Sequence, residues 1–382
     1  MRIRSTLLLA ACVALAGRPA AAQPPSPIDG ALFAFPGSTE SPPSGVSAGV
    51  ASADQWLGDE PFLNPATPAG HQIMVSPTMF RVSRQDLRAA NRNFEDNALF
   101  FDLAGFALAL PRVPVWIYGY QPVLRFEGYV FNRGTGADPT VPPGSLAGQS
   151  DNREGRAGIA ASAGWRRLRG GAALEWTRRT DRYFTREQSG APDQGDREVN
   201  FEGDAFGYNL GLRFDSADSG AGRATVGAAL RYVPALQVNG DQVLTLLSGT
   251  SQSTVSAERE AGWEGGLSAR YFFTSDFAAL AAFGGRAEQE WKGFGVASGQ
   301  SSMWRVAIQF HDALDPWTAR IGLGQDQQDG VPEPRSGVLG LGLGWDFEGV
   351  LLDVGVVHRG IERGNAPTSY EDRIIASVWV AF

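Results

Sequence analysis

Cysteine is almost missing: Cys12 is the only one in 382 residues. It lies in a leader-like start, so a trimmed chain holds no disulfide, no thiolate nucleophile and no cysteine metal site. Histidine is limited to His71, His311 and His358, and Lys292 is the only lysine, so the basic charge rests on arginine. None of the three histidines sits in a Gly-x-Ser-x-Gly or similar context, and a hydrolase needs a nucleophile, a base and an orienting group within reach. The glycines Gly158, Gly164, Gly170 and Gly171 fall at strand spacing and form no phosphate-loop or dinucleotide fingerprint. No enzyme, no cofactor and no metal site is expected; Asp326 to Asp329 read as surface-loop acids as readily as a calcium site. After residue 22 no apolar run reaches the eighteen or so residues of a membrane helix. The net charge of -8 argues against nucleic acid as a partner, which favours clustered basic residues.

What is present begins with the leader. Met1-Arg2-Ile3-Arg4 is basic, Leu7 to Ala16 is apolar, and Ala20-Ala21-Ala22 precedes Gln23, the build of a signal peptide over residues 1-22. At the other end, Ile374, Ala376, Val378, Val380 and Phe382 share one face of an alternating run, and Arg373, Ile375, Ser377, Trp379 and Ala381 the other.

The same sorting recurs between residues 71 and 382. Leu339-Gly340-Leu341-Gly342-Leu343-Gly344-Trp345-Asp346-Phe347 puts every large apolar residue on one side. A helix would spread this pattern around its circumference, whereas a strand separates it into two faces. Phe206 to Phe214, Val226 to Tyr232, Trp263 to Phe273, Trp304 to Phe310 and Trp317 to Leu323 behave alike. About fourteen such runs, an even number, predict a closed all-β transmembrane antiparallel barrel over 71-382. Glu348-Gly349 is expected as a short turn, and 133-152, 185-203, 237-253 and 364-368 as long outer loops. The opposite face carries Arg213, Arg231, Arg270, Arg305 and Arg320 with Asp215, Glu264 and Asp353, a polar lumen lining that could hold a ligand. His358 is expected on the lipid face and His311 on the lumen face. A soluble propeller or sandwich would use the same alternation to build a dry core.

Residues 23-70 are rich in Pro, Gly, Ala and Ser and are not strand-like. Their Gly45-Val46-Ser47-Ala48-Gly49-Val50-Ala51-Ser52-Ala53-Asp54, followed by Asn64-Pro65-Ala66, resembles the start of the FadL/TodX family of outer-membrane transport proteins, with its PorV-like relatives. Gln55 stands where a second Asp is usual. The resemblance implies that residues 23-70 are a hatch folded inside the barrel, ending at Asn64, Pro65 and Ala66. It also implies a Gram-negative outer-membrane location, passive uptake of hydrophobic small molecules such as long-chain fatty acids or aromatic hydrocarbons, and a terminal Phe382 that addresses the barrel-assembly machinery. Under this reading Val243, Leu244, Leu246 and Leu247 form a candidate capture surface in an outer loop, or else the end of a long strand. A PorV-like role with a secreted protein as cargo, and a general porin, are the alternatives.

Overall fold

In the computed structural model the described residues are 42–68, 72–84, 98–110, 113–133, 144–189, 195–216, 221–246, 249–292, 296–298, 300–311, 316–328, 334–363 and 366–381. The leader, Leu247 and Phe382 lie outside them. Strands are β1 Gln72–Arg84, β2 Ala98–Ala109, β3 Val115–Arg133, β4 Gly144–Trp165, β5 Leu168–Ser189, β6 Gly195–Asp215, β7 Ala224–Val233, β8 Leu236–Leu246 and β9 Gly249–Arg259. They continue with β10 Gly262–Phe272, β11 Phe277–Arg286, β12 Gln289–Lys292, β13 Val296–Ser298, β14 Ser301–His311, β15 Trp317–Gln328, β16 Pro334–Phe347, β17 Val350–Arg363 and β18 Ala366–Ala381. A short helix α1, Gly45–Gly49, precedes them.

Antiparallel pairing runs β1 to β7, then β10, β11 and β14 to β18, and β18 pairs back onto β1 from Gln72↔Ala381 to Arg84↔Ser369. The sheet is therefore a closed ring of fourteen strands. β8, β9, β12 and β13 continue β7, β10, β11 and β14 beyond the ring: β8 pairs with the far half of β6 and with β9. Pro234, which cannot donate to a ladder, stands at the β7/β8 break.

Alternation places the chemistry. In β6, Phe206, Tyr208, Leu210, Leu212 and Phe214 are exposed outward while Gly207, Asn209 and Gly211 are buried inward. β16 repeats this with Leu339, Leu341 and Leu343 against Gly340, Gly342 and Gly344. Each large apolar side chain left in water forgoes about 1.5–3 kcal/mol, and soluble monomers rarely expose a contiguous apolar patch beyond a few hundred Å². A continuous belt of such residues around the ring therefore calls for an apolar solvent. The belt is edged by aromatics: on one rim Tyr208 and Tyr232 stack at a centroid separation of 5.1 Å, and Trp263 meets them edge-on at 5.7 and 5.2 Å. Phe310–Trp317 at 5.4 Å and Tyr271–Phe273 at 4.9 Å mark the other, where the short turns lie. One of these turns is Glu348-Gly349, with φ positive at both residues and Phe347 paired to Val350, the geometry a twisted two-residue hairpin needs. Among the described residues no helix is long and apolar enough to cross a membrane.

The expected outer loops need correction. Residues 144–152, 185–189, 195–203, 237–246, 249–253 and 366–368 are strand, so β4 and β5 reach 22 residues each and β6 reaches 21. Beyond the apolar belt the outward face carries Arg153, Arg178, Glu198 and Glu202, so the outward-apolar pattern ends there although the backbone ladder does not. Val243, Leu244 and Leu246 accordingly belong to β8, with Val243 opposite Gln252 and Leu244 opposite Ser251. His358 faces outward beside Asp372, with its Nδ1 2.7 Å from the carboxylate, and His311 lies on the lumen-side parity against Thr318.

Candidate functional site

Residues 42–68 lie inside the ring and rest on a belt of small inward residues. Ser44 caps α1 by accepting the Ser47 N–H at 3.1 Å, and the Gly45 N–H donates to Ser377 Oγ at 2.6 Å. A Cβ on Gly355 would stand 2.3 Å from Gly45 O, one on Gly340 2.3 Å from Ala48 O, and one on Gly322 2.4 Å from Val50 O. Gly227 meets Trp56 O in the same way at 1.9 Å, and Gly171 meets Pro65 O at 2.1 Å. Only glycine lets two backbones approach so closely. Several plug backbone groups find partners on wall side chains, among them Trp56 N–H on Ser268 Oγ at 3.2 Å and Gly58 O on Arg213 at 2.9 Å, as buried backbone groups require.

Asn64, Pro65 and Ala66 form the tightest part of that seam. Asn64 is fully buried; its Nδ2 donates to Trp56 O at 2.6 Å and to Leu212 O of the barrel at 3.0 Å, and its Oδ1 accepts from Ala66 N at 2.9 Å. Asn209 Nδ2 donates to Leu63 O at 3.0 Å and Ser162 Oγ to Thr67 O at 2.7 Å, so β6 and β4 hold both flanks.

The sequence-nominated arginines all face inward, and their partners differ. Arg213 donates to Gly58 O at 2.9 Å and to Asp59 at 2.7 Å, and Arg270 pairs with the other oxygen of Asp59. Burial pushes the Asp59 carboxyl up, but Arg270 and Arg213 outweigh it and hold the pKa below its usual range. Asp54 is pushed up to about 6 by burial and by the charge of Asp59, while Ser47 Oγ donates to it at 2.9 Å. Arg231 donates to Phe62 O and pairs with Glu175 at 2.7 Å and Glu264 at 2.5 Å. Arg305 pairs with Asp326 and Arg320 with Asp353, wall to wall.

Above the plug a charged network crosses the lumen. Glu154 meets Arg156 at 3.0 Å, Arg259 at 2.7 Å and Arg179 at 3.4 Å; Glu264 meets Arg156 at 2.8 Å and Arg286 at 2.5 Å. Buried charges are tolerated only when paired this fully. Residue parity assigned such side chains to the lumen but could not reveal partners on distant strands. Glu154, Arg156, Glu175, Arg179, Arg259 and Arg286 are therefore functional candidates that sequence reasoning missed.

Among the described residues, the wall loses its ladder between β2 and β3. β2 and β3 pair only from Gly105↔Tyr120 to Ala109↔Trp116. Both nevertheless continue, β2 paired with β1 as far as Ala98 and β3 with β4 as far as Arg133. Between Tyr120↔Arg156 and Val123↔Glu154 two residues, Gln121 and Pro122, oppose a single Gly155. That is a bulge, and Pro122 has no N–H to offer. On the other side of β2, Ser76 pairs with Gly105 and Pro77 with Leu103, leaving Ala104 as an extra residue.

A cavity of about 320 Å³ occupies the gap. Most of its lining faces outward, with Leu103, Phe106, Gly155, Trp176 and Arg178, and it reaches in as far as the buried, inward-facing Tyr120 and Arg156. On its lumen side the plug's Phe62 stands 5.8 Å from the ring of Tyr118 and 5.5 Å from that of Tyr120. The guanidinium groups of Arg156 and Arg231 lie 6.0 and 5.8 Å from the Tyr120 ring. The sequence held one signal for this window: prolines at 77 and 122 inside otherwise alternating runs.

No protein-family profile matches the chain and no curated protein sequence does. Solved structures match over nearly the whole length. A Pseudomonas aeruginosa FadL homologue aligns with a TM-score of 0.60 at 13% identity, over 90% of this chain and 99% of that one. The Ralstonia pickettii toluene transporter TbuX gives 0.60 at 12%, over 89% and 98%, and the CymD monoaromatic hydrocarbon channel 0.58 at 12%, over 89% and 97%. The fourteen-stranded ring, the plug seated in it and these alignments show that this chain has the fold of the FadL/TodX-type transport proteins.

Proposed function

We propose that the chain is an outer-membrane channel for passive uptake of hydrophobic small molecules, which leave the lumen sideways through the window between β2 and β3. The observation that carries this reading is the loss of pairing above Gly105↔Tyr120 beside a cavity in the wall that is lined by outward-facing residues and by the inward-facing Tyr120 and Arg156. With the lumen floor occupied by residues 42–68, a straight aqueous path of the porin kind is opposed, whereas a lateral path delivers an apolar solute directly into lipid. A fourteen-stranded barrel is too wide for wall side chains alone to fill, so the plug decides where solutes go.

In this reading the short-turn end faces the periplasm and the long β3–β6 wall projects outward. The apolar belt contacts the lipid bilayer, residues 1-22 are a cleaved signal peptide, and Phe382 engages the barrel-assembly machinery. Val243 and Leu244 on β8 offer a capture surface at the projecting end. Arg213, Arg231 and Arg270 act mainly as plug anchors, and Arg305 and Arg320 brace the wall. Both a monoaromatic hydrocarbon and a fatty acid fit this scheme. Uptake of labelled toluene and labelled oleate by Gram-negative cells lacking other such channels tests it. Expression of the chain is expected to speed entry of at least one by about tenfold, a difference of about 1.4 kcal/mol in barrier. Equal entry with and without the protein would refute the reading and favour the PorV-like alternative, in which a secreted protein is the cargo.

A further inference from the structure

Where β2 and β3 separate, side chains replace the missing ladder. Asp102 of β2 accepts the Gln121 Nε2 of β3 at 3.0 Å through Oδ1, and the same oxygen accepts its neighbour Leu103 N–H at 2.7 Å. Arg153 of β4 stands 3.7 Å from the second oxygen of Asp102 but is engaged at 2.9 Å with Asp151, and its side chain is 46% exposed. The Asp102–Gln121 bond is therefore the main polar link across the mouth among the described residues. It lies at the cavity: Gln121 and Leu103 are both lining residues, next to Tyr120 and Phe106. Gln121 Oε1 is buried with no hydrogen-bonding partner among the described residues, so the amide is held at one end only.

Such a contact differs in kind from the wall on either side of it. β-ladders tie neighbouring strands through bonds that break together, whereas one side-chain pair on bulged backbone can open without unzipping either strand. We infer that Asp102 and Gln121 form a latch that gates the lateral window and sets the rate at which solutes pass. The inference rests on the lateral-exit reading above and adds the residues that control it.

The chain's only cysteine is Cys12, so a cysteine pair can be read cleanly. The full chain carrying Asp102→Cys and Gln121→Cys is labelled in cells with a short, cleavable bis-maleimide, and entry of toluene and oleate is measured before and after cleavage. Cross-linking is expected to reduce entry at least about tenfold and cleavage to restore it. Asp102→Ala, which removes the bond, is expected to raise entry two- to fivefold over the unmodified chain. Gln121→Glu, which sets two carboxylates face to face, is expected to do the same and covers the case in which Asp102→Ala fails to fold, as judged by heat-modifiable gel migration. Entry through the unmodified chain that neither cross-linking nor these substitutions change would overturn the latch and leave the lateral channel standing. No entry through the unmodified chain for either solute would overturn both.

Discussion

Replacing Gly211 and Gly227 together by valine is expected to drive the plug off the wall and raise single-channel conductance in planar bilayers about tenfold. The Cβ alone at position 211 would stand 1.9 Å from Asn64 Oδ1 and 2.8 Å from Pro65 Cδ; at 227 it would stand 1.9 Å from Trp56 O and 2.6 Å from the Leu57 Cα. These are backbone atoms, a proline ring atom and an Asn64 side chain pinned by three hydrogen bonds, so no rotamer change relieves the collision. Overpacking typically costs about 1–3 kcal/mol per site. Each plug hydrogen bond contributes only about 0.5–1.5 kcal/mol, so two collisions are comparable to the grip of several of them. The ring does not share that fate, because Gly211 and Gly227 stay within continuous ladders to β5, β7 and β10. The variant should keep its heat-modifiable migration while residues 42–68 become open to protease. Unchanged conductance with a protected plug would show that the seam is more yielding than its geometry indicates.

Gly155→Phe is expected to have the opposite effect, closing the window while the plug stays in place. Gly155 lines the cavity, opposes the Gln121-Pro122 bulge, and has nothing within 4 Å of where a Cβ would be. A large side chain is therefore added into open space rather than into the packed wall. The site offers about 320 Å³, near the lower limit of ligand-sized pockets, so a benzyl group removes a large share of it. Entry of hydrophobic solutes is expected to fall at least about tenfold, equivalent to 1.4 kcal/mol or more in barrier height, with conductance and gel migration unchanged. Gly155→Ala, with one added carbon, should retain most of the flux. Full flux through the phenylalanine variant would mean that solutes take another route.

These contrasting glycines show what can be read from a chain and what cannot. The run Leu339 to Phe347 declares its two faces, and the strand continues as expected through Glu348-Gly349 into β17, because lipid outside and small or polar residues inside impose a strict period of two. That pattern is lost beyond the belt, where β4 turns to small and polar residues and β6 reverses it, with Val199 and Phe201 buried inward and Glu198 and Glu202 outward, so outward-apolar alternation gives loop where the chain is strand over 144–152 and 195–203. Parity likewise assigns Arg231 to the lumen but says nothing of height or of what lies across the ring, and its pairing with Glu175 and Glu264 depends on closure of the whole sheet. Why inward positions 211, 227, 322 and 340 must be glycine became clear only once the plug backbone was seen against them. The window is the intermediate case. Pro77 and Pro122 cannot donate to a ladder, yet they flank β2 on opposite sides, and only the strand order brings them to one opening.

Photolabelling tests the lateral path most directly. The full chain in outer-membrane vesicles is exposed to a diazirine-bearing alkylbenzene, irradiated, and mapped by mass spectrometry. Adducts are expected on Leu103, Phe106 and Tyr120, and are expected to disappear from these residues in Gly155→Phe. Adducts confined to the short-turn side of the plug around Asp59, with none at the β2–β3 gap, would contradict the account.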